Sequence, residues 1–302
     1  AMRSVLGERV IGICDTPIGL VNRTLNALNI PEEERVDVSF DYAGLNHLGW
    51  LRSLSVDGRD VLPRLFADDE ALASMEESRA IGTDWIRALG TLPNEYLFYY
   101  YCHREAMARI HQDQTRGEYL RDQQEAFYNA VLSQPEKAGR TWIDALADRE
   151  ATYMAEAREV DDRSGRRAED IAGGGYQKVA LDLMNALATN TPARMILNVG
   201  NGDGGFSSIP TLRDTDVVEV PCNVDASGVH PIPVAPLEGA ALGLVQSVKA
   251  CENLVIDAAR ERDRTLAWQA LALHPLVDSI NVAREVLDQA IRTNPLVAAA
   301  FD

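Results

Sequence analysis

Apolar residues recur along this chain at two different periods, and the order in which those periods alternate limits what it can fold into. In RVDVSFDY (35–42) and HLGWLRSLSV (47–56) they alternate with polar ones, the period-two signature of strands. Asp57-Gly58 then offers a tight turn before RDVL resumes. From about Leu62 to Asp170 the spacing becomes helical, with few glycines or prolines, including QQEAFYNAVLSQ and the charged run ALADREATYMAEAREVDDRSGRRAED, read as solvated helix and loop. Gly173 to Gly175 interrupt the chain. YQKVALDLMNALATN follows as an amphipathic helix, RMILNV and DVVEVPCNV read as strands, and nearly everything after Pro236 reads as helix. At the start, ERVIGIC reads as a strand, and TPIGLVNRTLNALNI as a helix with Thr16 as its cap and Pro17 in its first turn. Cys14 and Asp15 are thereby expected at a strand-to-helix turn. With no repeat and no low-complexity linker, the pattern predicts one α+β unit over residues 1–302, helix-rich around a mixed sheet.

A chain of 302 residues, 46% hydrophobic, can bury a sizeable core. Its net charge of −17 argues against broad binding to nucleic acid or to an anionic membrane, both of which need clustered Lys and Arg. No apolar run approaches the ~20 residues of a membrane span, and the first residues lack the apolar segment of a signal peptide, so a cytoplasmic location is expected. Cys14, Cys102, Cys222 and Cys251 are scattered, which gives no disulfide framework and leaves reduced thiols as the expectation. Met2 after a lone Ala1 reads as a start codon preceded by a tag remnant.

One motif misleads. Gly200, Gly202 and Gly205 in GNGDGGF spell the dinucleotide fingerprint directly after an apolar strand. That fingerprint works only where a helix opens at its last glycine and turns its N-terminus toward a pyrophosphate; here FSSIPTLRD follows, with Pro210. A glycine-rich turn beside a substrate pocket is the reading that remains.

Several residues carry chemistry without deciding it. Cys14 at a helix N-terminus has a reason to favour the thiolate, yet a buried small cysteine at a strand end is the commoner outcome. His47 in GLNHLGW is equally compatible with a hydrogen-bonded core histidine. Tyr96, Tyr99, Tyr100 and Tyr101 in PNEYLFYYYCHRE suit packing with hydroxyls at a rim, and Arg116 suits a surface charge.

Taken together, CDTPIGL, GLNHLGW, NEYLFYYY and TRGEYLRDQQEAF, followed by GGGYQKVALDLMNAL, ILNVGNGDG and VVEVPCNVDASGVHP, resemble in order and spacing the C-terminal portion of family 4 glycoside hydrolases. Within that family they are most similar to the 6-phospho-β-glucosidase branch. The resemblance implies a helix-rich fold like the C-terminal domain of lactate and malate dehydrogenases, with no Rossmann domain. It implies that Cys14 and His47 ligate a divalent cation, typically manganese, whose other positions go to sugar hydroxyls and water. It further implies that Tyr96 is the catalytic base, Asp15 assists the leaving oxygen, Arg116 lies near the sugar phosphate and Asn46 is a substrate contact. The implied partner is a 6-phosphorylated glycoside.

In the reaction implied, hydride passes from C3 of the sugar to NAD+, the proton on C2 becomes acidic, Tyr96 removes it, and the glycosidic bond breaks by elimination. A tyrosine working near neutrality needs its pKa of about 10 lowered by about 3 units, which a neighbouring divalent cation can supply. Asp15 is the residue associated with α-linked substrates in the family, where β-specific members more often carry Asn, so 6-phospho-α-glucosidase specificity stands as the alternative. The strand, glycine-rich turn and helix that bind NAD in a complete member are not in this chain, which alone is expected to be inactive. A sugar-phosphate-binding module without turnover and a hydrolase using the metal alone are the competing readings. The apolar helices after Leu237 are expected to pack against a second copy in a homo-oligomer.

Overall fold

The computed structural model describes residues 1–111, 114–157 and 175–301. Its centre is a sheet of seven strands: β1 (Val38–Leu45), β2 (Leu48–Val56), β3 (Arg59–Asp60), β4 (Leu92–Pro93), β5 (Ala193–Gly200), β6 (Val217–Asp225) and β7 (Gly228–Pro231). The order is β3-β2-β1-β6-β5, with β4 also paired to β2 and β7 to β6. Among the described residues every pairing is antiparallel, so the sheet is not the mixed one expected. Three of these pairings follow from the connections: Asn46-His47, Asp57-Gly58 and Ala226-Ser227 are tight hairpin turns between β1 and β2, β2 and β3, and β6 and β7, and a two-residue link can only reverse the chain.

Side chains alternate across the sheet and feed two cores. Met195, Leu197 and Val199 of β5 and Val218, Val220, Cys222 and Val224 of β6 point to one face, where they meet Trp50, Phe98 and the helices Gly175–Thr189 and Gly239–Glu261. Ile196, Tyr42, Leu51 and Leu54 point to the other, under the helix Thr16–Ala27 and the short helices between Leu62 and Leu89. Coverage of both faces explains why the strands are so apolar. Beyond these cores, Ala258, Ala267 and Leu287 join the helices Gly239–Glu261, Arg264–Leu273 and Ile280–Thr293 in a small third cluster.

A helical hairpin stands out from this body. Its arms are Arg116–Ser133, opened by a capping box between Thr115 and Glu118, and Ala138–Ala151. Neither arm holds a fully buried residue, and Tyr128, Leu132, Trp142 and Ile143 lie exposed.

The first segment departs from expectation. ERVIGIC forms no strand: Gly7–Arg9 is a 3-10 turn, and only Gly12 meets the edge strand β5, through paired bonds with Asn198 of 3.0 and 2.9 Å. Glu8 and Arg9 are exposed, which leaves an apolar stretch too short to lengthen the ladder. Thr16 does not cap its helix; it is the first helical residue, and its hydroxyl turns inward to Glu95. The run from 158 to 170, read above as solvated helix and loop, lies outside the described residues, as do Gly173 and Gly174. Among the described residues no helix is long and apolar enough to cross a membrane.

Candidate active site

Three chain segments converge beside the helix Thr16–Ala27. The first brings Cys14 and Asp15. Cys14 is 1% exposed, its Sγ 3.9 Å from the hydroxyl of Tyr176, and Gly175 lies against the carboxyl group of Asp15. Burial, and then the charge of Glu219, push the Cys14 thiol up to about 11. The thiolate that a helix N-terminus was expected to favour therefore needs an additional positive charge.

The second segment is the β1–β2 turn. His47 takes φ +64, a left-handed conformation that histidine tolerates better than a branched residue, which throws its ring back over the sheet end. The ring stacks on Tyr96 with centroids 4.0 Å apart and planes 16° from parallel. Burial lowers the pKa of His47 while Asp15 opposes the fall, so the imidazole is a neutral donor at neutral pH. Asn46, at the tip of the same turn, is exposed.

The third segment is the 3-10 turn Glu95–Leu97. Asn94 caps it by accepting from the Tyr96 amide at 3.0 Å. Glu95 and Leu97 are buried by that geometry while Tyr96 turns outward. The Tyr96 oxygen lies 2.7 Å from that of Tyr153. Burial pushes the Tyr96 phenol above its ordinary range; Tyr153 pulls it down, and Glu95, Cys14 and Asp15 add to the rise. The lowering expected of a base is thus not supplied by the neighbouring charges.

Cys14, Asp15, His47 and Tyr96 are therefore brought together. Arg116 is held elsewhere: at the foot of the hairpin it donates to the Thr152 hydroxyl at 2.6 Å, the Thr152 carbonyl at 3.2 Å and the Arg149 carbonyl at 3.1 Å. Its charge reaches Tyr99, whose ring centroid is 6.4 Å from that of Tyr96. Among the described residues no three His, Cys, Asp or Glu side chains gather into a cation-binding set. One thiol and one imidazole do fit a divalent cation that takes its remaining oxygens from substrate and water.

Behind this surface lies a polar layer that sequence reasoning missed. Glu219, fully buried on β6, accepts from Tyr42 at 3.0 Å and from Asn198 at 2.9 Å, and burial pushes its carboxyl up to about 8. Gly49 makes room for this: a side chain there would strike the Tyr42 ring. Arg23, on the buried side of its helix, pairs with Glu77, and with Glu76 at 3.6 Å and Glu95 at 3.4 Å. Burial raises the pKa of Glu77 and Glu95 despite Arg23. A lone glutamate inside VVEVPC and an arginine three residues after Leu20 were the available signals.

GNGDGGF is a loop. Asn201 closes it through bonds to both the amide and the carbonyl of Ile209, at 2.7 and 3.1 Å, and no helix opens at Gly205. It borders a charged cleft with Arg3, Arg213 and Lys249, whose lining does not include Cys14, His47 or Tyr96.

A family model described as the C-terminal domain of family 4 glycosyl hydrolases matches residues 42–277. The chain is 28% identical over 301 residues to the maltose-6′-phosphate glucosidase of Bacillus subtilis, covering 95% of this chain and 60% of that protein. The 6-phospho-β-glucosidase of Thermotoga maritima, solved with NAD and glucose 6-phosphate, superposes with a TM-score of 0.72 at 26% identity, over 98% of this chain and 63% of that one. A second structure of that enzyme, with manganese, NAD+ and glucose 6-phosphate, superposes with a TM-score of 0.71 at 24% identity, over 98% and 62%. The chain thus spans about 60% of the length of the relatives it matches.

Proposed function

Because this chain belongs to the family 4 glycosyl hydrolases, we propose that it forms the metal- and sugar-binding part of a hydrolase of 6-phosphoglucosides. The observation that carries the reading is the meeting of Cys14, Asp15, His47 and Tyr96 from three separate segments. Cys14 and His47 would hold a divalent cation, which when bound supplies positive charge to acidify Tyr96 and to steady negative charge on the sugar. Tyr96, half-buried and stacked on His47, takes the proton from the carbon beside the oxidised position. Asp15 lies where a carboxyl group can give a proton to the departing oxygen. Arg116 reaches a sugar phosphate by giving up its contacts to Thr152 and Arg149. Hydride acceptance falls to NAD+, for which the described residues form no nucleotide-binding turn at GNGDGGF.

Two linkages follow. General likeness to the 6-phospho-β-glucosidase branch favours the β-anomer, and Asp15, the choice associated with α-linked substrates in this family, favours the α-anomer. The test is calorimetry of Mn2+ followed by glucose 6-phosphate on this chain. Mn2+ is expected to bind, to promote sugar-phosphate binding, and to be lost in Cys14→Ser and in His47→Ala. Mn2+ affinity unchanged in both variants overturns the site. Chromogenic 6-phospho-α- and 6-phospho-β-glucosides offered with NAD+ and Mn2+ are expected to remain intact with this chain alone.

A further inference from the structure

The helical hairpin turns an apolar face to solvent. On its first arm Tyr128 and Leu132, four residues apart and so on one side of the helix, are 60% and 78% exposed. On the second arm Trp142 is 53% exposed, and Ile143 and Leu146 beside it are exposed too. Tyr128, Trp142 and Leu146 line one groove together with the partly buried Phe127 and Ala145, so the rows of both arms belong to a single face. The Phe127 ring stands edge-on to those of Tyr128 and Trp142, with centroids 5.2 and 5.8 Å away. Apolar residues scattered singly over a surface are ordinary, whereas five large ones gathered on one projecting element mark a contact.

We propose that this face is the interface between two copies of the chain, whose hairpins pack face to face about a two-fold axis as a four-helix bundle. Area permits it: side chains of this size, exposed by two-fifths or more, each leave on the order of 100 Å² of surface. The five together offer about 1,000 Å² when two copies meet, which is what a specific interface needs even before its polar rim is added. Charge selects the partner. The whole chain carries a net charge of −17, so most of its surface repels a second copy, but residues 116–151 hold seven acidic and five basic residues, a net of −2. Both signs stand on each arm, as Arg121 with Asp122 and Arg140 with Asp144, so a two-fold copy meets no surface of a single sign. Shape agrees with both. The arms project from the body, and two-helix units bury their apolar rows together by pairing into a four-helix bundle.

The test is sedimentation velocity of this full chain over a range of protein concentrations. Wild type is expected to sediment as a dimer at high concentration and to dissociate on dilution. Trp142→Asp and Leu132→Asp are each expected to raise the dimer dissociation constant at least about tenfold, since a substitution at a two-fold interface counts twice. Val286→Asp, on the helix Ile280–Thr293 and also exposed, is expected to leave the dimer intact. That control separates the hairpin from the helices after Leu237, where the apolar pattern of the sequence placed the contact. Should Trp142→Asp unsettle the hairpin by losing its contact with Phe127, Leu132→Asp decides, because it has the most exposed side chain of the face and the least packing to lose. A wild type that is monomeric at every concentration, a dimer that survives Leu132→Asp, or one that Val286→Asp dissociates overturns the proposal. The measurement involves no cation, sugar or nucleotide, so its outcome leaves the hydrolase reading untouched.

Discussion

Replacing Glu219 by Gln should change how stability depends on pH, and the structure sets both the sign and the size. Glu219 is fully buried, and its carboxyl is pushed from 4.5 to about 8, first by burial, against the pull of the bonds from Tyr42 and Asn198. A carboxyl whose pKa is higher in the fold than in the unfolded chain contributes stability that is fully present below the unfolded value and lost as pH rises through the folded one. Wild type should therefore weaken between pH 4.5 and 8. At about 1.4 kcal/mol per pH unit, the gap between 4.5 and about 8 gives an upper bound of about 5 kcal/mol, reached only if nothing relaxes around the charge. Gln has nearly the same shape and does not ionise. Urea unfolding of both proteins at pH 5, 7 and 9, with chelator present, isolates this one residue, because other titrating groups cancel in the difference. The two should agree within about 1 kcal/mol at pH 5, where Glu219 is neutral in the fold, and Glu219→Gln should be the more stable by several kcal/mol at pH 9. A difference that stays constant across the range refutes the reasoning.

Two further substitutions probe the framework. Arg23→Met strips the counter-charge from Glu77 and Glu95 and should cost about 3–5 kcal/mol at neutral pH, less in mild acid where the carboxyls take up protons, as measured by urea unfolding at both. Gly44→Ala would place a Cβ 2.1 Å from the Leu48 carbonyl oxygen and 2.4 Å from the Gly49 Cα, both backbone, so it should destabilise the β1–β2 hairpin enough to show as a lowered melting temperature or insoluble expression.

What the sequence revealed and what it hid divide along a physical line. Periodicity found β1, β2, β5, β6 and the long helices, since in each the apolar residues recur at the spacing of the element. It failed at ERVIGIC, where apolar character was right but the ladder had room for one pair only. The mixed sheet was wrong because pairing direction depends on connections that period cannot report. Cys14, His47 and Tyr96 were singled out through likeness of whole strings, and the fold brings them near one another. Glu219, Arg23 and Tyr153 were not found, because burial of a charge or reach of a phenol depends on what other segments bring to it, across more than fifty residues in the case of Tyr153 and Tyr96. Arg116 shows the same effect: the bonds it makes to Thr152 and Arg149 were not visible in the sequence.

The helical hairpin has a further consequence. Among the described residues, arms of 18 and 14 residues without a buried side chain have little besides one another to hold them, and isolated helices of that length are marginal in water. Local opening there should be far more frequent than opening of the sheet, visible as rapid amide hydrogen exchange across residues 116–151. Arg116 and Thr152 join the two arms at their foot, and Tyr153 is the next residue. Opening of the arms is therefore expected to reach the chain as far as Thr152, so an antibody or second protein that clamps the hairpin should slow amide exchange there without touching Cys14, His47 or Tyr96.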